Sequence, residues 1–269
     1  MYDLRGQAIN SIGVRPGRGL CWLGLCLAVA ALGWGCGGAR VSGLKGAQDY
    51  YEEGMRALEK GRCIKAVEQF QFAVNNFPGA QVAPDAQYHL GEAYFCNEEF
   101  LEASFEFQRL LDTYPRSGWA DEAQFMIGET NFKQLRRPEL DQKETVGALN
   151  AYRRFIEDYP DSPLVLRAQG RISDCRARLA EKSYLSARLY HRQKHLDAAL
   201  MGYKEIVRNY PDTPWYWEAL LQMGDIAQKQ DKPLEARTYW EEVWQQAPGD
   251  ELKKRAEEKI DGLSLPAGD

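Results

Sequence analysis

Residues 88–115 carry the sequence YHLGEAYFCNEEFLEASFEFQRLLDTYP, and one pattern within this stretch decides the fold. Gly91 is followed by Ala103 after twelve residues, by Phe107 after four more, and by Pro115 after eight more. The other instances of this skeleton are Gly54/Ala66/Phe70/Pro78, Gly128/Ala148/Tyr152/Pro160, Ala187/Ala199/Tyr203/Pro211 and Gly224/Ala236/Trp240/Pro248. Only the instance at Gly128 stretches a gap, by eight residues. Five matches in one register predict a chain built from repeated units.

The residue types of the skeleton fit a helix hairpin. The small residue and the Ala let two helix backbones approach closely, and the aromatic residue fills the remaining space. The Pro ends the second helix, because it has no N–H and biases the residue before it toward extended backbone. This register is that of the tetratricopeptide repeat, whose hairpins bury their apolar faces only by stacking. We therefore expect an all-α tetratricopeptide-repeat solenoid of five helix hairpins over residues 47–262.

Departures from the regular spacing predict additional elements. Pro160 and Pro211 lie 51 residues apart, whereas regular neighbours are 37 apart. Fourteen extra residues make almost four helical turns, so we expect one extended helix over about residues 163–192. The longer gap after Gly128 predicts a loop over residues 133–146. Residues 250–262 predict a C-terminal capping helix, and residues 263–269 a flexible tail. Pro163 and Pro214 are expected at first helical positions.

The N-terminus resembles a bacterial lipoprotein signal. Three arginines precede an apolar run over residues 20–32, and small residues then lead to Cys36. This pattern predicts a signal peptide over residues 1–35, a lipid-modified Cys36 and a tether over residues 36–46. The alternative is an ordinary cleaved signal in which Cys36 is unmodified. Since no Asp follows Cys36, the inference is lipid anchoring at the outer membrane, on its periplasmic face.

Charge excludes one class of partner and suggests another. The net charge of −5 becomes −7 without residues 1–35, which carry three Arg and one Asp, so nucleic acid is not expected as a partner. Residues 164–194 nevertheless carry eight Lys and Arg against two acidic residues. This surplus suggests a docking face for an acidic partner, with a solvated helix face as the alternative. The candidate docking residues are Arg167, Arg171, Arg178, Lys182 and Arg188.

The remaining cysteines and histidines do not have the spacing of a catalytic site or of a complete metal site. Cys63 and Cys96 fall at one edge of neighbouring repeats, where either a disulfide or two separate thiols would fit. Cys175 falls on the apolar stripe of the extended helix and is expected in the core. His191 and His195 have the spacing of two metal ligands, but no third ligand is fixed nearby. We expect no metal site, no cofactor and no enzyme activity, since no phosphate loop or nucleophile motif is present.

The irregular middle of the chain resembles a known family. Residues 141–148, 159–162, 178–182, 196–199 and 210–213, with Tyr190, are similar to the BamD family of repeat-containing lipoproteins. A member of that family often carries Arg where this chain has Gly202. The resemblance implies binding to the POTRA region of the barrel-forming subunit BamA through the C-terminal repeats. It also implies contact of the N-terminal repeats with unfolded outer-membrane proteins, for which Tyr51, Tyr88 and Phe95 are candidate groove residues.

Two functions are therefore open from the sequence. The first is a non-enzymatic scaffold of outer-membrane β-barrel assembly. The alternative is a periplasmic repeat protein that coordinates the Tol-Pal system or the cell wall. Proteins of the second kind usually add an N-terminal coiled coil, and no heptad run precedes Tyr50.

Overall fold

The computed structural model describes residues 45–263, which form helices and no strand. The helices of this range are α1 (Ala47–Glu59), α2 (Cys63–Asn76), α3 (Ala83–Cys96), α4 (Phe100–Thr113), α5 (Ala120–Lys133), α6 (Lys143–Asp158), α7 (Val165–Arg192), α8 (Leu196–Asn209), α9 (Pro214–Lys229), α10 (Pro233–Gln246) and α11 (Asp250–Asp261). Each helix packs on the next along the chain, and α11 covers α10. The prediction of five hairpins, one extended helix and a capping helix is confirmed.

The repeated skeleton forms the core of every hairpin. Its five aromatic residues are fully buried; they are Phe70, Phe107, Tyr152, Tyr203 and Trp240. Each Gly of the skeleton lies against the aromatic ring of its own hairpin. A Cβ atom added to Gly91 would lie 2.6 Å from the ring of Phe107, closer than packing allows. The twelve-residue and four-residue spacings therefore encode a direct contact between the two helices of each hairpin.

In the fourth hairpin the close approach of the two helices depends on a different pair of residues. Its skeleton residue is Ala187 on α7, and the space is made on the opposite helix by Gly202 of α8. A Cβ atom on Gly202 would lie 2.9 Å from the Cβ atom of Ala187. Close packing against Ala187 therefore explains why this chain has Gly202 at the position where the resemblance suggests Arg.

Two details of the sequence-based expectation need correction. Pro163 precedes α7, which begins at Val165, whereas Pro214 does open α9. The predicted loop over residues 133–146 is shorter, because α6 already begins at Lys143. The side chain of Gln142 explains the early start. Its amide donates to the carbonyl of Arg137 at 2.9 Å, and its carbonyl accepts from Thr145 at 2.7 Å, which ties the loop to the first turn of α6.

Candidate functional site

The predicted groove residues do not form one groove. Tyr51 is half-buried, with its ring centroid 5.7 Å from that of His89. Tyr88 is only 5% exposed, so its prediction as a groove residue is wrong. Its ring stacks on Trp119 with centroids 4.4 Å apart. Phe95 lies at the other end of α3, edge-on to Phe100 at 5.3 Å. The reason for the error is that Trp119, the N-cap residue of α5, covers the ring of Tyr88.

An aromatic and acidic surface nevertheless exists beside Tyr51. We define the N-terminal aromatic cluster as Tyr51, Tyr88, His89 and Trp119, which come from α1, α3 and the start of α5. Tyr51 and Trp119 keep part of their surface exposed. Trp119 and His89 were not predicted from the sequence as members of this surface. The one feature that could have indicated Trp119 is its position two residues after Ser117, in the turn between two repeats.

Carboxylates fix the geometry of the N-terminal aromatic cluster. The Trp119 indole donates to Asp85 at 2.5 Å, and His89 Nδ1 lies 2.6 Å from Glu92. The hydroxyl of Tyr88 donates to Glu92 at 3.4 Å. Burial, and then the charge of Glu92, raise the pKa of Tyr88 well above its usual range, so the phenol stays protonated. The cluster therefore offers aromatic surface within a negative environment.

Two adjacent carboxyl groups lie next to this cluster. Burial and the hydrogen bond with Asp121 raise the pKa of Glu122 to about 7. Burial would also raise the pKa of Asp121, but hydrogen bonds from Glu122 and from Ser162, at 2.7 Å, outweigh it and lower that pKa. The second oxygen of Glu122 is buried without a partner among the described residues. Of the two carboxyl groups, Glu122 therefore keeps its proton to the higher pH.

The predicted basic docking face is largely engaged within the chain. Arg171 donates to both oxygens of Glu129, at 2.8 and 3.1 Å, and Arg167 donates to the same carboxylate at 3.1 Å. The Glu129 side chain is 4% exposed, and Tyr152 donates to it at 2.5 Å. Burial would raise the pKa of Glu129, but the bonds from Arg171 and Tyr152 outweigh it and lower that pKa. Arg171 therefore serves the core of α5, α6 and α7.

Two further residues of that face hold the loop before α6. Arg178 donates to the carbonyl of Arg136 at 2.5 Å, and Lys182 donates to the carbonyl of Leu140 at 2.6 Å. Arg188 is exposed and makes no ion pair within the described part of the chain. Of the predicted docking residues, Arg188 and the half-exposed Arg167 thus remain open to a partner, and the others support the fold.

A shallow cleft lies between α7 and α8 where Gly202 leaves room. Its volume is about 240 Å³, and Lys182, Tyr190 and Glu205 line it together with Gly202. Met201, beside the cleft, is 74% exposed, and Tyr190 is 46% exposed. The cleft therefore combines apolar surface with both signs of charge.

The remaining sequence-based sites fall as follows. Cys63 and Cys96 form a disulfide with Cα atoms 5.7 Å apart, which ties α2 to α3. Cys175 is buried and free, as expected. His191 lies 2.8 Å from Lys229, and His195 occupies the N-cap position of α8 without a side-chain hydrogen bond to the helix. Within residues 45–263, no three His, Cys, Asp or Glu side chains are grouped so that they could hold a metal ion. Cys36 lies outside the described residues. No helix of the described range has the length and apolar character needed to cross a bilayer.

Comparisons with known proteins place these features in context. The model of the family described as YfiO, outer membrane lipoprotein, matches residues 45–239. The chain is 27% identical over 173 residues to the outer membrane protein assembly factor BamD of Vibrio cholerae, covering 61% of this chain and 72% of that protein. It is 22% identical over 173 residues to BamD of Rickettsia prowazekii, covering 64% and 69%.

Solved structures of repeat proteins are also similar. One is the TPR2AB domain of yeast Sti1 in complex with pHSP90, at 13% identity and a TM-score of 0.42, covering 80% of this chain and 84% of that one. A second is the TPR domain of P58(IPK), at 14% identity and a TM-score of 0.41, covering 80% of this chain and 56% of that one.

Proposed function

Because the chain belongs to the YfiO outer membrane lipoprotein family, we propose that it acts as a non-enzymatic scaffold in outer-membrane β-barrel assembly. The match of the family model over residues 45–239 carries this conclusion, since it covers the four hairpins of α1 to α8 and most of the fifth. Two relatives, each matched over 173 residues, are themselves outer membrane protein assembly factors. The proposed organisation is a signal peptide over residues 1–35, a tether over 36–46, a solenoid over 47–262 and a tail over 263–269.

The proposed mechanism is physical. The hairpins hold their spacing through buried skeleton aromatics, through the Cys63–Cys96 bridge and through the bonds of Glu129. Such a frame presents binding surfaces at fixed separations, which suits a protein that positions one partner next to another. A lipid on Cys36 would keep this frame at the periplasmic face of the outer membrane.

The N-terminal repeats are the proposed client surface. Tyr51 and Trp119 offer partly exposed aromatic faces, and Asp85 and Glu92 supply negative charge beside them. Aromatic side chains of an unfolded outer-membrane protein would pack on these faces, and Arg or Lys residues would be attracted to the carboxylates. We expect Tyr51→Ser to weaken binding of unfolded clients, whereas Phe105→Ser, at a more exposed position on α4, should leave it unchanged. Equal losses for both variants would contradict this assignment.

The C-terminal repeats are the proposed docking surface for a BamA-like barrel subunit, through its POTRA region. Arg188 carries an exposed charge on α7 that pairs with no carboxylate within residues 45–263, and the cleft beside Gly202 provides apolar surface between α7 and α8. Charges at the rim of an interface steer association, and apolar contacts in a cleft hold the complex. Arg167 extends the positive surface toward α5, and its guanidinium forms an ion pair with Glu129.

Co-purification in mild detergent tests the docking proposal. We expect a barrel-forming subunit to elute with the wild-type protein and to be depleted with Arg188→Glu. The matched control is Arg154→Glu, because Arg154 is an exposed residue of α6 with the same change of charge. Recovery of Tol proteins or cell-wall enzymes in place of a barrel subunit would contradict the proposed function. Loss of palmitate labelling in Cys36→Ala tests the anchor separately.

A further inference from the structure

Three aromatic rings meet at the end of the solenoid where the tether arrives. We define the anchor-side cluster as Tyr50 at the start of α1, Phe72 near the end of α2, and Phe77 just after α2. The ring centroids of Tyr50 and Phe72 are 4.1 Å apart, and Phe77 lies 6.3 and 6.4 Å from the other two. Phe72 is 43% exposed, and the other two rings are half-buried. The cluster thus leaves apolar surface facing outward.

The repeat register shows that Phe72 is not required by packing. Phe72 follows the skeleton Ala of its hairpin by six residues. The residues at this position in the other four hairpins are Arg109, Arg154, Glu205 and Glu242. All four are charged, and none is buried. A position that otherwise faces solvent with a charge therefore carries an aromatic ring only in the hairpin that adjoins the tether.

The tether limits what lies opposite this cluster. Lys45 lies nine positions after Cys36, and a fully extended chain of this length spans at most about 30 Å. Residues 37–46 contain Arg40 and Lys45 and no acidic residue, so the tether is positively charged. Lys45 lies over the ring of Tyr50, with Nζ 5.6 Å from its centroid. The described end of the tether therefore lies at the anchor-side cluster, and chain length alone keeps a lipid on Cys36 within about 30 Å of Lys45.

We propose that the anchor-side cluster contacts the lipid surface and sets the orientation of the solenoid against the membrane. This inference rests on the lipid anchor proposed for Cys36. Aromatic side chains favour the boundary between headgroups and acyl chains, where an apolar ring and a polar hydroxyl are both accommodated. Phe72 supplies the apolar ring and Tyr50 the hydroxyl.

Site-specific photo-cross-linking tests the contact. Benzoylphenylalanine replaces Phe72 in the full lipoprotein, which is reconstituted in vesicles of phosphatidylethanolamine and phosphatidylglycerol. The matched control carries the same probe in place of Phe105, which is 64% exposed and therefore more accessible than Phe72. We expect several-fold more lipid adduct at position 72 than at position 105. Equal yields would overturn the proposal, as would adducts at position 72 with residues 37–44 or with a second copy of the chain.

A second variant keeps the test independent of the probe. Phe72→Glu installs the residue type that Glu205 and Glu242 already provide at the same repeat position, so the hairpin accommodates it, and anionic headgroups repel its charge. With the probe at Asn76, one turn further along α2, Phe72→Glu should abolish lipid adducts while the thermal unfolding midpoint stays unchanged. Undiminished adducts would overturn the proposal. The mass of the N-terminal peptide reports lipidation in the same sample. An unlipidated Cys36 contradicts the proposed anchor, whereas lipidated protein without adducts at position 72 contradicts this inference alone.

Discussion

Arg171 of α7 holds the buried carboxylate of Glu129 on α5 through two hydrogen bonds, at 2.8 and 3.1 Å. The guanidinium also lies over the ring of Phe132, 4.1 Å from its centroid. Tyr152 of α6 donates to the same carboxylate. One acidic side chain thus joins three consecutive helices at the point where the extended helix begins.

Removal of Arg171 should therefore destabilise the solenoid. Arg171→Ala leaves Glu129 buried with weaker compensation, and we expect a loss of about 3 kcal/mol in the free energy of unfolding, because a buried charge loses its main partner. Urea unfolding followed by circular dichroism measures this loss. Arg154→Ala is the control, since the exposed pair of Arg154 with Asp158 should contribute less than about 1 kcal/mol. Equal effects of the two substitutions would show that Glu129 does not depend on Arg171.

The contact between Ala187 and Gly202 predicts a coupled pair. Gly202→Ala places two Cβ atoms too close together, and we expect a loss of about 1–3 kcal/mol in the free energy of unfolding. Ala187→Gly in the same chain should recover part of that loss, because it makes the space on the other helix. Gly118→Ala is the control, since a Cβ atom there meets nothing within 4 Å. A strictly additive double variant in urea unfolding would contradict the contact.

Glu122 predicts how stability depends on pH. Burial and Asp121 raise the pKa of Glu122 from 4.5 to about 7, so the folded state binds this proton more tightly than the unfolded state does. The stabilising contribution is therefore complete below about pH 4.5 and is lost as the pH rises to about 7. Glu122→Gln mimics the protonated form, and it should remove the part of the pH dependence that falls in this window.

Urea midpoints at pH 5 and pH 8 provide the measurement for Glu122. The difference between the two pH values should shrink in Glu122→Gln and should remain in Glu102→Gln, because Glu102 is an exposed residue of α4. An unchanged difference in Glu122→Gln would mean that another group carries the pH dependence.

The bridge between Cys63 and Cys96 predicts sensitivity to reductant. It joins residues 33 apart, and such a closed loop typically stabilises a fold by about 3–4 kcal/mol. A reductant should lower the thermal unfolding midpoint of the wild-type protein. It should leave unchanged the lower midpoint of the double variant Cys63→Ser/Cys96→Ser. A wild-type midpoint that does not respond to reductant would contradict the contribution of the bridge.

The fold could be predicted because its signals are local and repeated. Gly91 and Phe107 are sixteen residues apart in sequence, and the same separation recurs in three of the other hairpins. The length of α7 followed from fourteen inserted residues, which preserve the direction of the apolar face. The start of α6 could not be predicted from the apolar pattern, because the side chain of Gln142 starts this helix earlier.

The candidate surfaces could be predicted only in part. The surplus of basic residues over 164–194 predicted a docking face on α7. Charge alone does not reveal that several of these side chains bind acceptors elsewhere in the same chain. Glu129 is 42 residues from Arg171 in sequence, and no periodic pattern links them. Tyr88 failed as a groove residue for the same reason, since the ring that covers it belongs to Trp119 of the next repeat.

Depletion of the protein in its native cell tests the central claim most directly. The folded fraction of outer-membrane β-barrel proteins is measured by heat-modifiable mobility in electrophoresis. If this chain is a scaffold for their assembly, that fraction should fall as the protein is depleted, and wild-type protein supplied in trans should restore it. Unchanged folding of β-barrel proteins after complete depletion would contradict the proposed function.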